Sequence, residues 1–325
     1  MWRLFRWLLT ASVILALGAG AVFLWGWNDY TKPGPLPDAR AVVIPKGASV
    51  AGIARMLGDA GVIDNPLVFQ LAVRLQKPAD PLRAGEYAFP PAVSIEEAIT
   101  LLRAGDTVVR RLTVPEGLTS TEVINLLNAS PALEGHVDQR VPEGTLLPET
   151  YHYSYGDSRA ELLQRMQTAM GTAVAELWAA RPPDLPLASP DDLVILASII
   201  EKETAVPAER PRVAAVFHNR LKKGMRLQSD PTVAYGLAGS EGALPRPLTR
   251  ADLEQPTPYN TYMIDGLPPG PIANPGRDSL EAVINPADTD DLYFVADGSG
   301  GHAFARTLQE HNRNVARWRK LQNQR

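Results

Sequence analysis

The sequence predicts an α+β chain with a single N-terminal transmembrane helix, a small α+β module and a larger mixed α+β domain. Three observations predict it. An uncharged run of 21 residues fills positions 7–27, short strand-like and helix-like segments alternate over 41–105, and residues 106–325 interleave amphipathic helical patterns with turn-rich stretches. With 325 residues, 45% apolar and 21% charged, the chain can bury more than one core, and wholesale disorder is excluded. Zero cysteines exclude a disulfide framework, a Cys-ligated zinc or iron–sulfur site and a thiol nucleophile. The formal net charge of −4, from 32 basic and 36 acidic residues, gives no sign of nucleic-acid binding by counterion release.

As a helix, the 21-residue run is about 31 Å long at roughly 1.5 Å per residue, which matches a bilayer core of about 30 Å. Arg3 and Arg6 precede it and Asp29 follows, while Trp2, Trp7, Trp25, Trp27 and Tyr30 sit where aromatic belts form. Residues 1–6 are therefore expected in the cytoplasm and the bulk of the chain outside it. Ala19-Gly20-Ala21 resembles a signal-cleavage site, but the apolar run exceeds the roughly 7–15 residues of a signal core, which favours an uncleaved anchor. Residues 28–40, with Pro33, Gly34, Pro35 and Pro37, read as a semi-rigid spacer lifting the folded part off the membrane.

In the small module, residues 41–44 read as a strand, and Ser49 caps a helix with Val50, Ile53, Ala54 and Leu57 on one stripe. Asn65-Pro66 opens a second helix carrying Leu67, Val68, Leu71, Ala72 and Leu75. A strand over 86–89 and a capping box, Ser94 with Glu97, complete the unit.

The larger domain begins with a strand over 107–114 and a second capping box, Thr119 with Glu122. Residues 129–157 are turn-rich. A long helix over 159–180 stops at Arg181-Pro182-Pro183, since a residue before proline resists the helical region. Ser189 as cap, Pro190 in the first turn, and Asp191 and Asp192 at the positive end of the dipole then start the clearest helix. Leu193, Leu196, Ala197 and Ile200 form one stripe and Val194, Ile195 and Ile199 widen it, so this helix should be deeply buried. A helix over 210–221 follows, then a loop-rich stretch over 224–285, a strand over 292–295, a glycine-rich turn and a closing helix.

The buried helix ends in Glu201-Lys202-Glu203-Thr204. At roughly 100° per residue the two glutamates flank the apolar stripe about 160° apart, so they cannot share one small site. Either can stand beside the core, where desolvation raises a carboxylic pKa and leaves a proton to donate; a solvated helix end is the plain alternative. Periodicity does not choose between Glu201 and Glu203. The five histidines show no metal-binding spacing and no serine sits in a nucleophile elbow, so neither a metal centre nor a serine nucleophile is expected. Leu227-Gln228-Ser229-Asp230-Pro231-Thr232 and Pro258-Tyr259-Asn260-Thr261-Tyr262 mix the amide, hydroxyl, carboxylate and ring groups that grip a polar ring-shaped ligand, although the same residues build turns.

Ser198-Ile199-Ile200-Glu201-Lys202-Glu203-Thr204, Phe217-His218-Asn219-Arg220-Leu221, the Gly224 to Thr232 string, Tyr259-Asn260-Thr261-Tyr262, Gly266-Leu267-Pro268-Pro269-Gly270 and Leu292-Tyr293-Phe294-Val295-Ala296 occur in this order. The pattern resembles the MltG (YceG-like) endolytic murein transglycosylases. Val114-Pro115-Glu116-Gly117 and Leu147-Pro148-Glu149-Thr150-Tyr151 fit it too. The resemblance implies a single-pass protein of the inner membrane whose outer, periplasmic domain cleaves the MurNAc–GlcNAc bond inside peptidoglycan strands. The product would carry a 1,6-anhydromuramoyl end, and nascent strand length would be limited. It implies Glu201 as the catalytic residue, a LysM-like module over 41–105 and no cofactor. Gln228, Asp230, Tyr259, Asn260, Tyr262 and Glu149 are the expected sugar-binding residues. Glycan strands are the expected partner, with cell-wall synthesis enzymes as further candidates. The rival readings are a two-carboxylate hydrolase, with Glu149 or Asp230 as second acid, and a non-enzymatic glycan-binding scaffold.

Overall fold

The structure, a computed structural model, describes residues 2–76, 81–242 and 244–323. The chain folds as two units, residues 1–110 with 153–156, and residues 111–152 with 157–325.

In the first unit, α1 (Trp2–Thr31) contains a 27-residue stretch, Phe5–Thr31, whose most apolar 18 residues have a mean hydropathy of 2.2. That length and composition suffice to cross a membrane. There follow β1 (Arg40–Ile44), α2 (Val50–Asp59), α3 (Pro66–Leu75), β2 (Gly85–Phe89) and α4 (Ile95–Ala104). β1 and β2 pair antiparallel, with Arg40 opposite Phe89 and Ile44 opposite Gly85. The caps form as the sequence predicts: Ser49 accepts from the Gly52 amide, Asn65 from Leu67 and Val68, and Ser94 and Glu97 close a reciprocal box. Leu57, Phe69, Tyr87, Phe89, Ile99 and Leu102 fill the core.

The spacer differs from expectation. The Gly34 amide donates to the Ala92 carbonyl at 3.0 Å, the Ala92 amide donates to the Leu36 carbonyl at 2.8 Å, and Leu36 is buried. A Cβ at Gly34 would meet the Val93 carbonyl at 2.2 Å. The single leucine among the prolines inserts into the core and takes the segment with it, so the stretch belongs to the unit.

At the boundary β3 (Arg110–Thr113) and β4 (Thr150–Tyr153) form a small sheet, all but Arg110 and Tyr153 of it in the second unit, with α5 (Ser120–Ala129) between them in sequence. Next come α6 (Arg159–Ala180), α7 (Pro190–Glu203), α8 (Arg210–Lys222), α9 (Asp230–Ala238), α10 (Arg250–Leu253) and α11 (Arg277–Ile284), and then β5 (Tyr293–Ala296), β6 (His302–Ala305) and α12 (Leu308–Gln322). Eight consecutive residues of α7, from Leu193 to Ile200, are buried, with α6, α8, α9 and α11 packed around them. A helix apolar on every side has no stable place but a core. Its one polar residue there, Ser198, donates to the Ile195 carbonyl at 2.7 Å and accepts from the Ile272 amide at 3.0 Å.

Residues 224–285 are less loop-like than expected, since α9, α10 and α11 lie within them. Gly236 and the prolines conceal α9, whose Asp230-Pro231 start nevertheless follows the first-turn preferences. β4 was also hidden, inside a turn-rich stretch.

Candidate active site

The last turn of α7 sends its two glutamates to different surroundings. The Glu201 carboxylate accepts from the Gly276 amide at 2.9 Å and from Arg210 at 3.4 Å, and its side chain is 6% exposed. Arg210 also holds Glu116 at 3.0 Å and Asp278 at 2.9 Å. Burial, with the Glu201 charge adding, pushes the Glu116 carboxyl up. Three carboxylates thus converge on one buried guanidinium that ties α7 to the starts of α8 and α11.

Glu203 points the other way. Its Oε1 accepts from the Ser229 hydroxyl at 2.5 Å. Ser229 is fixed in turn: its amide donates to Thr261 Oγ1 at 2.9 Å, and Thr261 and Thr232 share a 2.8 Å hydroxyl contact, all three residues being buried. The neighbouring Gln228 sits at φ 49° with its amide on the Thr261 carbonyl at 3.1 Å. That left-handed backbone turns the chain so that Ser229 faces Glu203. Enclosure by protein pushes the Glu203 carboxyl up to about 7, and the charge of Asp230 adds to the rise, against the Ser229 hydrogen bond, His302 and Arg220. A carboxylic acid in this range holds a proton at neutral pH that it can give and take back.

The groups around Glu203 are themselves anchored. Asp230, first residue of α9, accepts from the Tyr262 hydroxyl at 2.6 Å. His302 makes two contacts with Glu209, through its amide and through Nδ1, both at 2.8 Å. Burial works against the charge of Glu209, but the bonds from His302 and Thr204 outweigh it and hold that carboxyl low. Arg220 donates to the Leu227 and Leu292 carbonyls at 2.7 Å each, binding the loop before α9 to the start of β5. A cavity of about 420 Å³ opens alongside, with Asp230, Lys202, Thr119, Glu122, Tyr235 and Arg246 in its wall. Lys202, between the two glutamates, donates to the Gly117 carbonyl at 3.1 Å at its edge. Among the described residues, no group of three or more His, Cys, Asp or Glu side chains is placed to hold a metal ion.

A family model described as the YceG-like family matches residues 42–317. The chain belongs to the YceG-like family. A Bacillus subtilis protein named endolytic murein transglycosylase is 32% identical to it, across 90% of this chain and 89% of that protein. A Streptococcus pneumoniae protein of the same name is 29% identical across 85% of this chain, which spans only 57% of that longer relative. The crystal structure of a yceG-like protein from Listeria monocytogenes matches with a TM-score of 0.51 at 31% identity, covering 85% of this chain and 99% of that one.

Against this family background, the residues expected to bind sugar divide. Asp230 and Tyr262 belong to the Glu203 group and Asp230 also lines the cavity. Gln228 is exposed at the turn beside them. Tyr259 packs edge-on to Tyr235, with ring centroids 4.9 Å apart, and joins the core around α7. Asn260 is fully buried and spends its amide within its own loop, donating to the Leu253 and Gln255 carbonyls and accepting from the Tyr262 amide. For both, the turn-and-core alternative describes their surroundings. Glu149 is exposed at the entry to β4, and among the described residues no hydrogen bond or ion pair joins its side chain to the Glu203 group. Sequence reasoning missed Glu209 and Arg220. The string Phe217-His218-Asn219-Arg220-Leu221 marked the latter, but only the fold discloses that its guanidinium reaches Leu227 and Leu292.

Proposed function

We propose that this chain is an endolytic murein transglycosylase in which Glu201, the first glutamate of the Glu-Lys-Glu-Thr string, is the acid and base. The relatives' names supply the reaction class. The observation that carries the residue assignment is the place of Glu201: it is held by Arg210 and the Gly276 amide and lies against Gly117 of the cavity wall, where a Cβ would meet its Cγ at 3.5 Å. Glu203, enclosed by protein on the far side of the helix and bonded to Ser229, is the second reading, favoured by the rise of its carboxyl. The protonated glutamate gives its proton to the glycosidic oxygen as the C1–O bond of the muramic acid breaks. The resulting carboxylate takes the proton of the C6 hydroxyl, whose oxygen bonds to C1 and closes the 1,6-anhydro ring. No water is consumed and the acid is regenerated. Asp230, steadied by Tyr262, lines the cavity in which positive charge would develop at C1 in an oxocarbenium-like state.

The β1-α2-α3-β2 order with antiparallel outer strands supports the LysM-like reading of the first unit. α1, with Arg3 and Arg6 in its first two turns, supports an inner-membrane anchor whose N-terminus is cytoplasmic, with the second unit working outside on glycan strands, within reach of cell-wall synthesis enzymes. Mass spectrometry of products from purified protein on uncrosslinked glycan tests the reaction. Anhydro ends are expected with the native chain and none with Glu201→Gln. Reducing ends about 18 Da heavier, the mass of an added water, would instead make it a hydrolase.

A further inference from the structure

The short helix α3 carries an apolar edge that its own unit leaves uncovered. Val68 and Phe69 point into the core, whereas Leu67, Leu71 and Leu75, spaced four residues apart on one side, are 69%, 56% and 81% exposed. This edge is continuous with α1. Leu71 and Leu75 share the wall of an apolar groove of about 760 Å³ with Leu15, Ala19, Val22 and Trp25. Gln76, at the end of α3, donates to the Tyr30 hydroxyl at 2.6 Å and accepts from Arg103 at 2.7 Å, which locks α3 against α1. From Leu15 to Tyr30 the axis of α1 advances about 22 Å at 1.5 Å per residue, so α3 lies beside the second half of the apolar stretch and not beyond its end. The 21 uncharged residues 7–27, exposed but for a half-buried Gly26, match the roughly 20 residues a bilayer core requires.

We propose that α3 is an interfacial helix whose Leu67–Leu71–Leu75 edge inserts among the acyl chains of the bilayer leaflet that α1 traverses. The inference rests on the reading of α1 as a membrane span. Lipid is the occupant that the neighbouring side chains specify, because the groove is walled on one side by the surface of α1 that itself faces acyl chains. A surface helix with one apolar face lies in the plane of the headgroup boundary in this way, and here it would hold the small unit flat on the membrane.

The absence of cysteine makes site-specific labelling direct. Full-length chains carrying Leu71→Cys, Leu17→Cys or Asp59→Cys, each labelled with an environment-sensitive fluorophore, are reconstituted into phosphatidylcholine vesicles with or without brominated acyl chains. Blue-shifted emission and loss of signal to bromine are expected at 71 and 17, and neither at 59, which is exposed at the end of α2. Quenching at 17 with water-like emission at 71 would overturn the interfacial helix while leaving the anchor intact. The same would follow from signal at 71 that responds to chain concentration and not to bromine, since a second copy would then cover the edge. Absence of quenching at 17 would remove the membrane span and the inference with it.

Discussion

Replacing Glu203 by glutamine should make the second unit more stable above neutral pH. A buried acid whose pKa rises on folding holds extra protons in the native state between its two pKa values. Stability therefore falls as pH climbs through that window and is level above it. For Glu203 the window runs from 4.5 to about 7, and at 1.36 kcal/mol per pH unit the accumulated loss is about 3 kcal/mol. Glutamine carries no charge and still accepts from Ser229. At pH 8 the variant should thus unfold about 3 kcal/mol later than the native chain, or roughly 6–12 °C higher for a unit of this size, whereas at pH 4 the two should coincide. Glu201→Gln has the opposite signature. It strips one partner from a buried guanidinium, a change that costs about 3 kcal/mol or somewhat less where other carboxylates remain, and Glu116 and Asp278 do remain. The folded variant should cut no glycan. Thermal melts of both variants from pH 4 to 8, paired with product analysis of Glu201→Gln, read these outcomes. A Glu203→Gln chain that melts no higher at pH 8 would refute the reasoning, and native turnover in a folded Glu201→Gln chain would refute the assignment of the acid.

Other consequences can be measured independently. Asp230→Asn removes a charge that raises the Glu203 carboxyl, so the pH at which stability stops falling in thermal melts should move down; an unmoved limit would detach Asp230 from that carboxyl. Asn274→Ala leaves the buried Leu146 amide without its acceptor, while the Leu118 carbonyl keeps the backbone amide of residue 274 and the Ser120 hydroxyl keeps the Pro142 carbonyl, at a cost of about 1–3 kcal/mol in denaturant unfolding, as expected when one buried polar group loses its partner. Gly144→Ala combines φ 73° with a Cβ placed 2.7 Å from both Pro271 and Val194, whereas Gly135→Ala combines φ 80° with open space. The first should cost about 2–4 kcal/mol by unfolding and the second about 1 kcal/mol, the difference being overpacking.

Local signals account for what the chain alone discloses. Ser49, Asn65, Ser94, Thr119 and Ser189 each announced a helix start because a cap is decided by residues a few positions apart. The uninterrupted apolar circumference of α7 likewise announced its burial. α9 and α11 stayed hidden because short helices among glycines and prolines owe their stability to packing against α7 more than to their own pattern. The site was legible as a set of strings and illegible as an arrangement. Helical angle showed that Glu201 and Glu203 face apart, but which side held Arg210 and which held Ser229 depends on segments 9 to 75 residues away. Nor could spacing show that Asn260 would be consumed by its own turn.

The stitched segment around Leu36 leaves α1 without a slack tether. With Gly34 and Leu36 bonded to Ala92, residues 32–36 move with the first unit, and on the proposed reading of α1 as a membrane span that unit would be moored at the lipid surface. Inserting a dozen glycine and serine residues after Thr31 would lengthen the mooring without touching these bonds, and the change in product length would show how far closeness to the lipid selects the strand that is cut.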